Sequence, residues 1–391
     1  MAGQTGALRI GARDRPTVKA HPARTWLALR AVPGLGDAGV RRLVEVFGSP
    51  QAAQSASTEE LVARAGIPSP VAEAVRRGPA AETSREIDRE LAQIDRLRLS
   101  LVTYLDPLYP PRLKAIHDPP PVLYMSGCLR SEDHHAVAVV GSRHPTPGGR
   151  VFTEQLCRGL ATAGLTVVSG LARGIDAAAH RGALSAPGRT VAVLGCGLDQ
   201  TYPPEHAGLR REIESSGAVL SELPLGAPPH GSHFPRRNRI ISGMCLGVVV
   251  TEAGIPSGSL ITARLALEQG REVFAVPGSV KAETSRGPHG LIKQGAKLVE
   301  RVEDIIEELL PQLDAPFRER LQSRPLHPAV SKTPLSEGEA AVYALLAYDA
   351  IHIDDLIMRS GLSPGDVTGL LLSMELKGVV RQLPGHSYIR I

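Results

Sequence analysis

The chain has 391 residues, 42% hydrophobic and 21% charged, enough at ~100–200 residues per domain for two to four domains with buried cores. Its four dispersed cysteines (Cys128, Cys157, Cys196, Cys245) form no CxxC pair and have no histidine at ligand spacing, which argues against a disulfide framework or a cysteine-based zinc module and fits a reducing, cytoplasmic setting. No apolar run reaches the ~18 residues of a membrane span and no signal-peptide core opens the chain, so neither insertion nor secretion is expected.

The net charge of +4 is carried by residues 1–25, where Arg9, Arg13, Arg15, Lys19 and Arg24 face only Asp14; the rest of the chain is balanced. A folded body that binds nucleic acid must then do so through a local cluster. Only 7 of the 44 basic residues are lysine, a bias that GC-rich coding explains without any function.

Residues 1–24, rich in Gly, Arg and Pro, read as a disordered arm. Residues 25–80 read as a helical domain. Within it Val32-Pro33-Gly34-Leu35-Gly36-Asp37-Ala38-Gly39-Val40 fits a helix–hairpin–helix turn, whose backbone N–H groups can meet a phosphate regardless of sequence. Arg41 and Arg42 follow, and Ala65-Gly66-Ile67 suggests a degenerate second copy. The same pattern serves equally as a protein-contact module.

Residues 81–310 form the α/β core. After a helical stretch, a strand-like Leu101–Leu105 and a Pro-rich crossing, short β-branched runs alternate with helical ones: Ala136–Val140, Thr166–Ser169, Thr190–Leu194, Ala218–Ser221, Gly247–Thr251 and Glu272–Val276. This is the pattern of a Rossmann-like, mostly parallel sheet with helices on both faces. Small residues follow several strand ends, at Gly141-Ser142-Arg143, Gly170 to Gly174, Gly195-Cys196-Gly197 and Ser257-Gly258-Ser259. In open α/β sheets these turns line a ligand crevice. The nucleotide signals are weak: Gln200 stands at the third glycine position of GxGxxG, and Gly254 to Ser259 lacks the phosphate-loop lysine. No cofactor or metal is expected. A polyanionic strand is better supported. Arg143 and Arg173 stand just beyond strands, and His233-Phe234-Pro235-Arg236-Arg237-Asn238-Arg239 joins cations to one of only 13 aromatics. Those residues also fit a core phenylalanine at a solvated helix start. Asp176, His180, Asp199, His206, Glu222, His233 and Glu252 could be imagined as an acid–base set, with Asp176 and His180 pairing at i, i+4.

Five ordered blocks resemble the DNA-processing protein A (DprA/Smf) family: VAVVGSRHPTPGG, VVSGLARGIDAAAH, TVAVLGCGLDQTYPPEH, FPRRNRIISGMCLGVVVTEAGIPSGSLITARLALEQGREVFAVPGS and GPHGLIKQGAKLV. The resemblance implies a non-enzymatic protein of natural transformation and recombination. Such a protein binds incoming single-stranded DNA without sequence specificity, protects it, and helps load RecA recombinase in the presence of single-strand-binding protein. It implies that Gly141, Ser142 and Arg143 are the phosphate-binding loop. It further implies that Phe234 stacks on a base framed by Arg237, Asn238 and Arg239, with Arg236 the variable position. His230 and His233 stand where the family often carries a lysine. Gly170, Arg173, Gly174, Ser257, Gly258 and Ser259 complete the rim. The resemblance also implies a homodimer, for which Leu291, Ile292, Leu298 and Val299 are the expected surface unless they are ordinary core. The competing function is a nucleotide or nucleoside-phosphate hydrolase on a related sheet, with Glu252 as acid or base.

A Pro-containing linker is expected over 311–334, then a winged-helix domain over 335–391: helix, helix–turn–helix and a hairpin about Pro384-Gly385. The tail holds four basic and seven acidic residues, a poor balance for a phosphate backbone, so protein contact is the expected role. The fold class is thus an α/β Rossmann-like core between an N-terminal helical (SAM-like, helix–hairpin–helix) domain and a C-terminal winged helix.

Overall fold

In the computed structural model, which describes residues 21–323, 334–346 and 350–390, the backbone divides into two units. One ends at Leu105 and adds Pro120–Val122; the other holds the rest. The arm expected over 1–24 lies outside the described residues up to position 20, and Arg24 already opens a helix.

In the first unit, Gly34 and Gly36 take positive φ of 79° and 62°, the left-handed region open to glycine. This lets the chain reverse between the helices Arg24–Arg30 and Gly36–Phe47. Val40, Leu43 and Val44 recur at helical spacing and are buried. A second hairpin, Thr58–Ala65 and Ser69–Arg77, opens on a capping box of Ser57 and Glu60 and turns at Gly66. Arg42 donates to the Ala65 carbonyl at 3.3 Å, and Arg41 lies 3.6 Å from Glu45, so both arginines of the motif have protein partners. The unit extends past residue 80. The helix Ala81–Arg96 buries Ile87, Leu91 and Ile94, and its Asp88 and Ser84 accept from Arg24 at 2.9 and 2.6 Å. Strand β1 (Ser100–Thr103) follows.

The second unit is built on a sheet whose strands are β2 (Val122–Gly127), β3 (Ala136–Val140), β4 (Thr166–Ser169), β5 (Thr190–Val193), β6 (Ala218–Ser221), β7 (Gly247–Val250), β8 (Glu272–Ala275) and β9 (Lys297–Leu298). They lie side by side as β2-β6-β5-β4-β3-β7-β8-β9. From β6 to β9 all neighbours are parallel, and β2 runs antiparallel to β6. β3 to β8 are almost wholly buried, as expected of a sheet covered on both faces. The chain steps outward from β3 through β6, then returns to place β7 on the other side of β3.

One core cluster joins Val137, Val139 and Val167 of the sheet to Leu156, Leu160, Val302, Ile305 and Phe317. Phe317 corrects the expected linker at 311–334. Ala315–Ser323 is a helix, and Leu313, Phe317 and Leu321, spaced by four, are buried in that core. The spacing of three apolar residues outweighs the proline signal at Pro311. Residues 324–333 of that expected linker lie outside the described residues.

The tail carries helices Glu337–Leu345, Ile353–Ser360 and Pro364–Leu376. Beside them lies a sheet of β10 (Ile351–His352), β12 (Ser387–Arg390) and β11 (Val380–Leu383), in that order. Val342, Leu356, Val367, Leu371, Met374, Val380 and Tyr388 form its own core. This is a winged helix. Among the described residues, no helix is long and apolar enough to cross a membrane.

Candidate nucleic-acid interface

The carboxyl ends of β3, β4 and β5 meet the first turn of the helix His233–Met244. There Arg143, Gly170, Ala172, Arg173, Gly195, Cys196, Tyr202, Pro203 and Phe234 line a shallow depression whose cavity volume is about 20 Å³. That volume has room for about one water molecule, and the Phe234 ring beside it is half-buried.

Phe234 is held by its surroundings. A Cβ at Gly195 would stand 2.9 Å from its ring, so glycine at the end of β5 is what lets the ring lie on the backbone. Tyr202 packs beside it with ring centroids 5.6 Å apart. The guanidinium of Arg143 lies 5.6 Å from the ring centroid, within the range of a cation–π contact. Arg143 itself is exposed. Its turn is fixed from both sides: Ser142 N–H donates to the Glu252 carbonyl at 2.6 Å, and the Ser142 carbonyl accepts from Ile175 N–H at 3.0 Å. Gly174 has φ of 77° and passes so close to the Ser142 carbonyl that no side chain fits.

Arg173 pairs with Glu205 at 2.5 Å, both half exposed. Such a solvent-screened pair is weak, so the Arg173 guanidinium is open to exchange of its carboxylate partner for another anion. The pair raises the Arg173 pKa and lowers that of Glu205.

The FPRRNR segment divides differently from the sequence expectation. Arg236 stays half exposed, 3.3 Å from Glu222. Arg237, Asn238 and Arg239 are buried and turn donors to acceptors of the protein. Arg237 donates to the Gly170 carbonyl at 2.7 Å and to the Val193 carbonyl, joining the ends of β4 and β5. Asn238 donates to the Gly258 carbonyl at 3.2 Å, tying down the start of the helix Gly258–Glu268. Arg239 binds Glu222 at 2.5 Å and Asp118 at 2.9 Å. The helix causes this: from Arg237 onward it runs into the interior and buries every residue to Met244. Ser257 and Ser259 are likewise used locally, the Ser257 hydroxyl accepting from Ser259 N–H at 3.3 Å. The three residues Ser257 to Ser259 do not line the depression.

Asp176 and His180 do not form a hydrogen-bonded pair. Asp176 accepts from the N–H groups of Gly170 and Ala172 at 3.1 and 3.3 Å, while His180 Nδ1 meets the Thr190 hydroxyl at 2.7 Å. Burial pushes the Asp176 carboxyl up, opposed by the positive charge of Arg237. Burial also drives His180 down to about 3. Glu252 caps a helix: its two oxygens accept from Thr146 N–H at 2.8 Å and the Thr146 hydroxyl at 2.5 Å, just before Pro147–Thr162.

Of the residues expected at a dimer surface, Val299 lies fully buried in the chain's own core, and Leu291 is almost buried. Leu298 is 40% exposed on β9, and Ile292 is half-buried. Val299 follows the edge strand and turns inward, because its N–H joins the Ala275 carbonyl of β8. Tyr202 was the residue missed from the sequence. Its signal was an aromatic in the turn after a glycine-rich strand end, in a chain with few aromatics.

A doubly wound α/β core with cations and two adjacent aromatics at its strand ends, followed by a winged helix, defines the class. The description DNA recombination-mediator protein A matches residues 100–310, and DprA winged helix domain matches 327–386. The chain is 41% identical over 314 residues to Protein Smf of Escherichia coli (strain K12), covering 78% of this chain and 81% of that one. It is 48% identical over 204 residues to DNA processing protein DprA of Streptococcus pneumoniae, covering 52% and 72%. Among solved structures it resembles DNA processing protein A from Streptococcus pneumoniae, with TM-score 0.63 and 36% identity over 74% of this chain and 98% of that one. It also resembles DNA processing protein A from Helicobacter pylori, described for its unique single-stranded DNA binding mode, with TM-score 0.50 and 30% identity over 56% and 98%. The chain belongs to the DNA recombination-mediator protein A (DprA/Smf) family.

Proposed function

We propose that this chain binds single-stranded DNA without sequence preference, protects it as it enters the cell, and helps load RecA recombinase in natural transformation and recombination. The observation that carries this reading is Phe234, half exposed at the strand ends beside Tyr202, with the Arg143 guanidinium 5.6 Å from its ring. Aromatic faces with adjacent phosphate-tracking cations suit unpaired bases of any sequence. The family relationship and the binding mode described for the Helicobacter pylori protein support the same ligand. Gly141, Ser142 and Gly174 shape the turn that presents Arg143. Gly170 makes room for Arg237, which braces the surface from behind together with Asn238 and Arg239.

The partners in this reading are single-stranded DNA, RecA, single-strand-binding protein and a second copy of the chain. The dimer would use Ile292 and Leu298, the two candidates with exposed surface. The winged helix serves protein contact. Lys377 is bound to Glu339 at 2.6 Å, Arg381 to Glu154 at 2.8 Å, and the Arg390 guanidinium lies 4.2 Å from the Tyr343 ring centroid. Three of the tail's four cations are thereby engaged within the protein. The test is a competition between labelled oligo-dT and duplex at fixed salt, followed by RecA filament assembly on strands coated with single-strand-binding protein. Equal affinity for duplex and single strand would overturn the reading, and turnover of nucleotides that Glu252→Gln abolishes would establish the hydrolase instead.

A further inference from the structure

His134, His135 and Asp314 come together although 178 residues separate the second from the third. His134 Nε2 and His135 Nε2 each lie 3.3 Å from the same carboxylate oxygen, Asp314 Oδ2, and the candidate ligand atoms of all three residues fall within 4.8 Å of one another. Two donors bound to a tetrahedral zinc at about 2.0–2.1 Å stand roughly 3.3 Å apart. The nitrogen–oxygen separations already have that value.

The outer contacts orient each donor. His134 Nδ1 donates to the Ser131 carbonyl, which places the lone pair on Nε2, facing Asp314. A lone pair and a carboxylate oxygen facing each other need a cation between them, either a proton or a metal. A metal-binding histidine commonly has this partner on its other nitrogen. Asp314 Oδ1 accepts from Phe317 N–H at 2.9 Å, leaving Oδ2 turned to the imidazoles. The Phe317 ring lies 4.5 Å from that of His135 and holds it in place. His135 is buried. The His134 and Asp314 side chains are 39% and 47% exposed, which gives a metal ion and a fourth, water ligand access from solvent.

We propose that His134, His135 and Asp314 form a binding site for a divalent transition metal of the zinc class. Two imidazoles and one carboxylate favour zinc over magnesium or calcium, which take oxygen donors. The site is a structural clip. It joins the residue before β3 to the residue that opens the helix Ala315–Ser323, the last described element before the winged helix. Bound metal therefore fixes the segment from which the tail departs.

The test uses the full chain, freed of metal with a chelator and titrated with zinc against a chromophoric competitor. One zinc per chain should bind at micromolar or tighter affinity. Saturating zinc should raise Tm by at least about 2 °C, and magnesium and calcium should leave it unchanged. His134→Gln and Asp314→Asn, which keep nearby hydrogen-bonding groups, should each weaken zinc at least about tenfold, the loss expected when a ligand or its support goes. Cobalt should give a visible spectrum in the parent chain that both variants lose. Zinc binding of equal strength in the parent and in His134→Gln would place the metal elsewhere on the chain and overturn the proposal. So would the absence of stoichiometric binding.

Discussion

Replacing Arg237 by alanine should destabilise the fold, whereas replacing Arg143 should weaken DNA binding alone. Arg237 is buried and donates to the Gly170 and Val193 carbonyls and, at 3.2 Å, to Asn238 Oδ1. Its charge also opposes the desolvation of the fully buried Asp176. Truncation leaves two strand-end carbonyls without this donor and a buried carboxylate without its nearby cation, a loss of ~3–5 kcal/mol. Asp176→Asn in the same chain should recover part of it, because the orphaned charge is gone. Arg143 is exposed, so Arg143→Ala should change stability by no more than ~0.5 kcal/mol. It should flatten the slope of log affinity against log salt by about 0.7, one phosphate contact on a single strand. Urea unfolding supplies the first quantity, and oligo-dT titrations between ~50 and ~200 mM salt supply the second. If Arg237→Ala is as stable as the parent and it is the variant whose slope falls, the buried assignment fails and the arginine faces DNA.

Phe234→Ala should cost ~1–3 kcal/mol in single-strand binding with an unchanged salt slope, because stacking releases no counterions, and Phe234→Trp should retain most affinity; titration of both variants decides it. His180, held near 3 when folded against an ordinary 6.5, is protonated first in the unfolded chain. Below pH ~6.5 the unfolded state therefore binds more protons and stability falls with pH, by about 2 kcal/mol at pH 5 from this group alone; urea midpoints from pH 7 to 5 should fall less steeply in His180→Asn. A chain ending at Pro334 should keep nearly all single-strand affinity, and fragment 335–391 should not bind labelled duplex at ~150 mM salt; micromolar binding that weakens steeply with salt would make the tail a second DNA site.

The parallel strands were legible because each is a short run of β-branched residues buried on both faces; β3, β4 and β6 have the limits their sequence suggests. Strand β2 was hidden, since Pro119, Pro120 and Pro121 precede it and it pairs antiparallel with β6, so the parallel pattern does not extend to it. The helix Ala315–Ser323 was read as linker because its apolar spacing has meaning only with a core to receive Phe317. In the candidate site, residue type was legible and direction was not. Sequence places Phe234, Arg236, Arg237, Asn238 and Arg239 together, but only the path of the helix decides that the first two meet solvent and the last three do not. His134, His135 and Asp314 carried no spacing signal at all, because the fold alone brings position 314 back to the start of β3.

The topology explains why the candidate surface lies over β4 and β5. An open α/β sheet offers its ligand crevice where the strand order reverses, here between β3 and β7. That place is filled. The Ser142 N–H is bonded to the Glu252 backbone, the Glu252 carboxylate holds the Thr146 cap, and a side chain at Gly141 would stand 2.7 Å from Ile175 and 2.8 Å from the Glu252 carbonyl. The protein's own groups thus occupy the reversal point. One strand further on, Gly170 and Gly195 keep the backbone low, and Phe234 lies across it. In the proposed function, a ring flanked by two cations would take a base of a passing strand and let its phosphates continue beyond it. Glu252 is engaged in this closure, so a hydrolase using it as acid or base would first have to release it from Thr146.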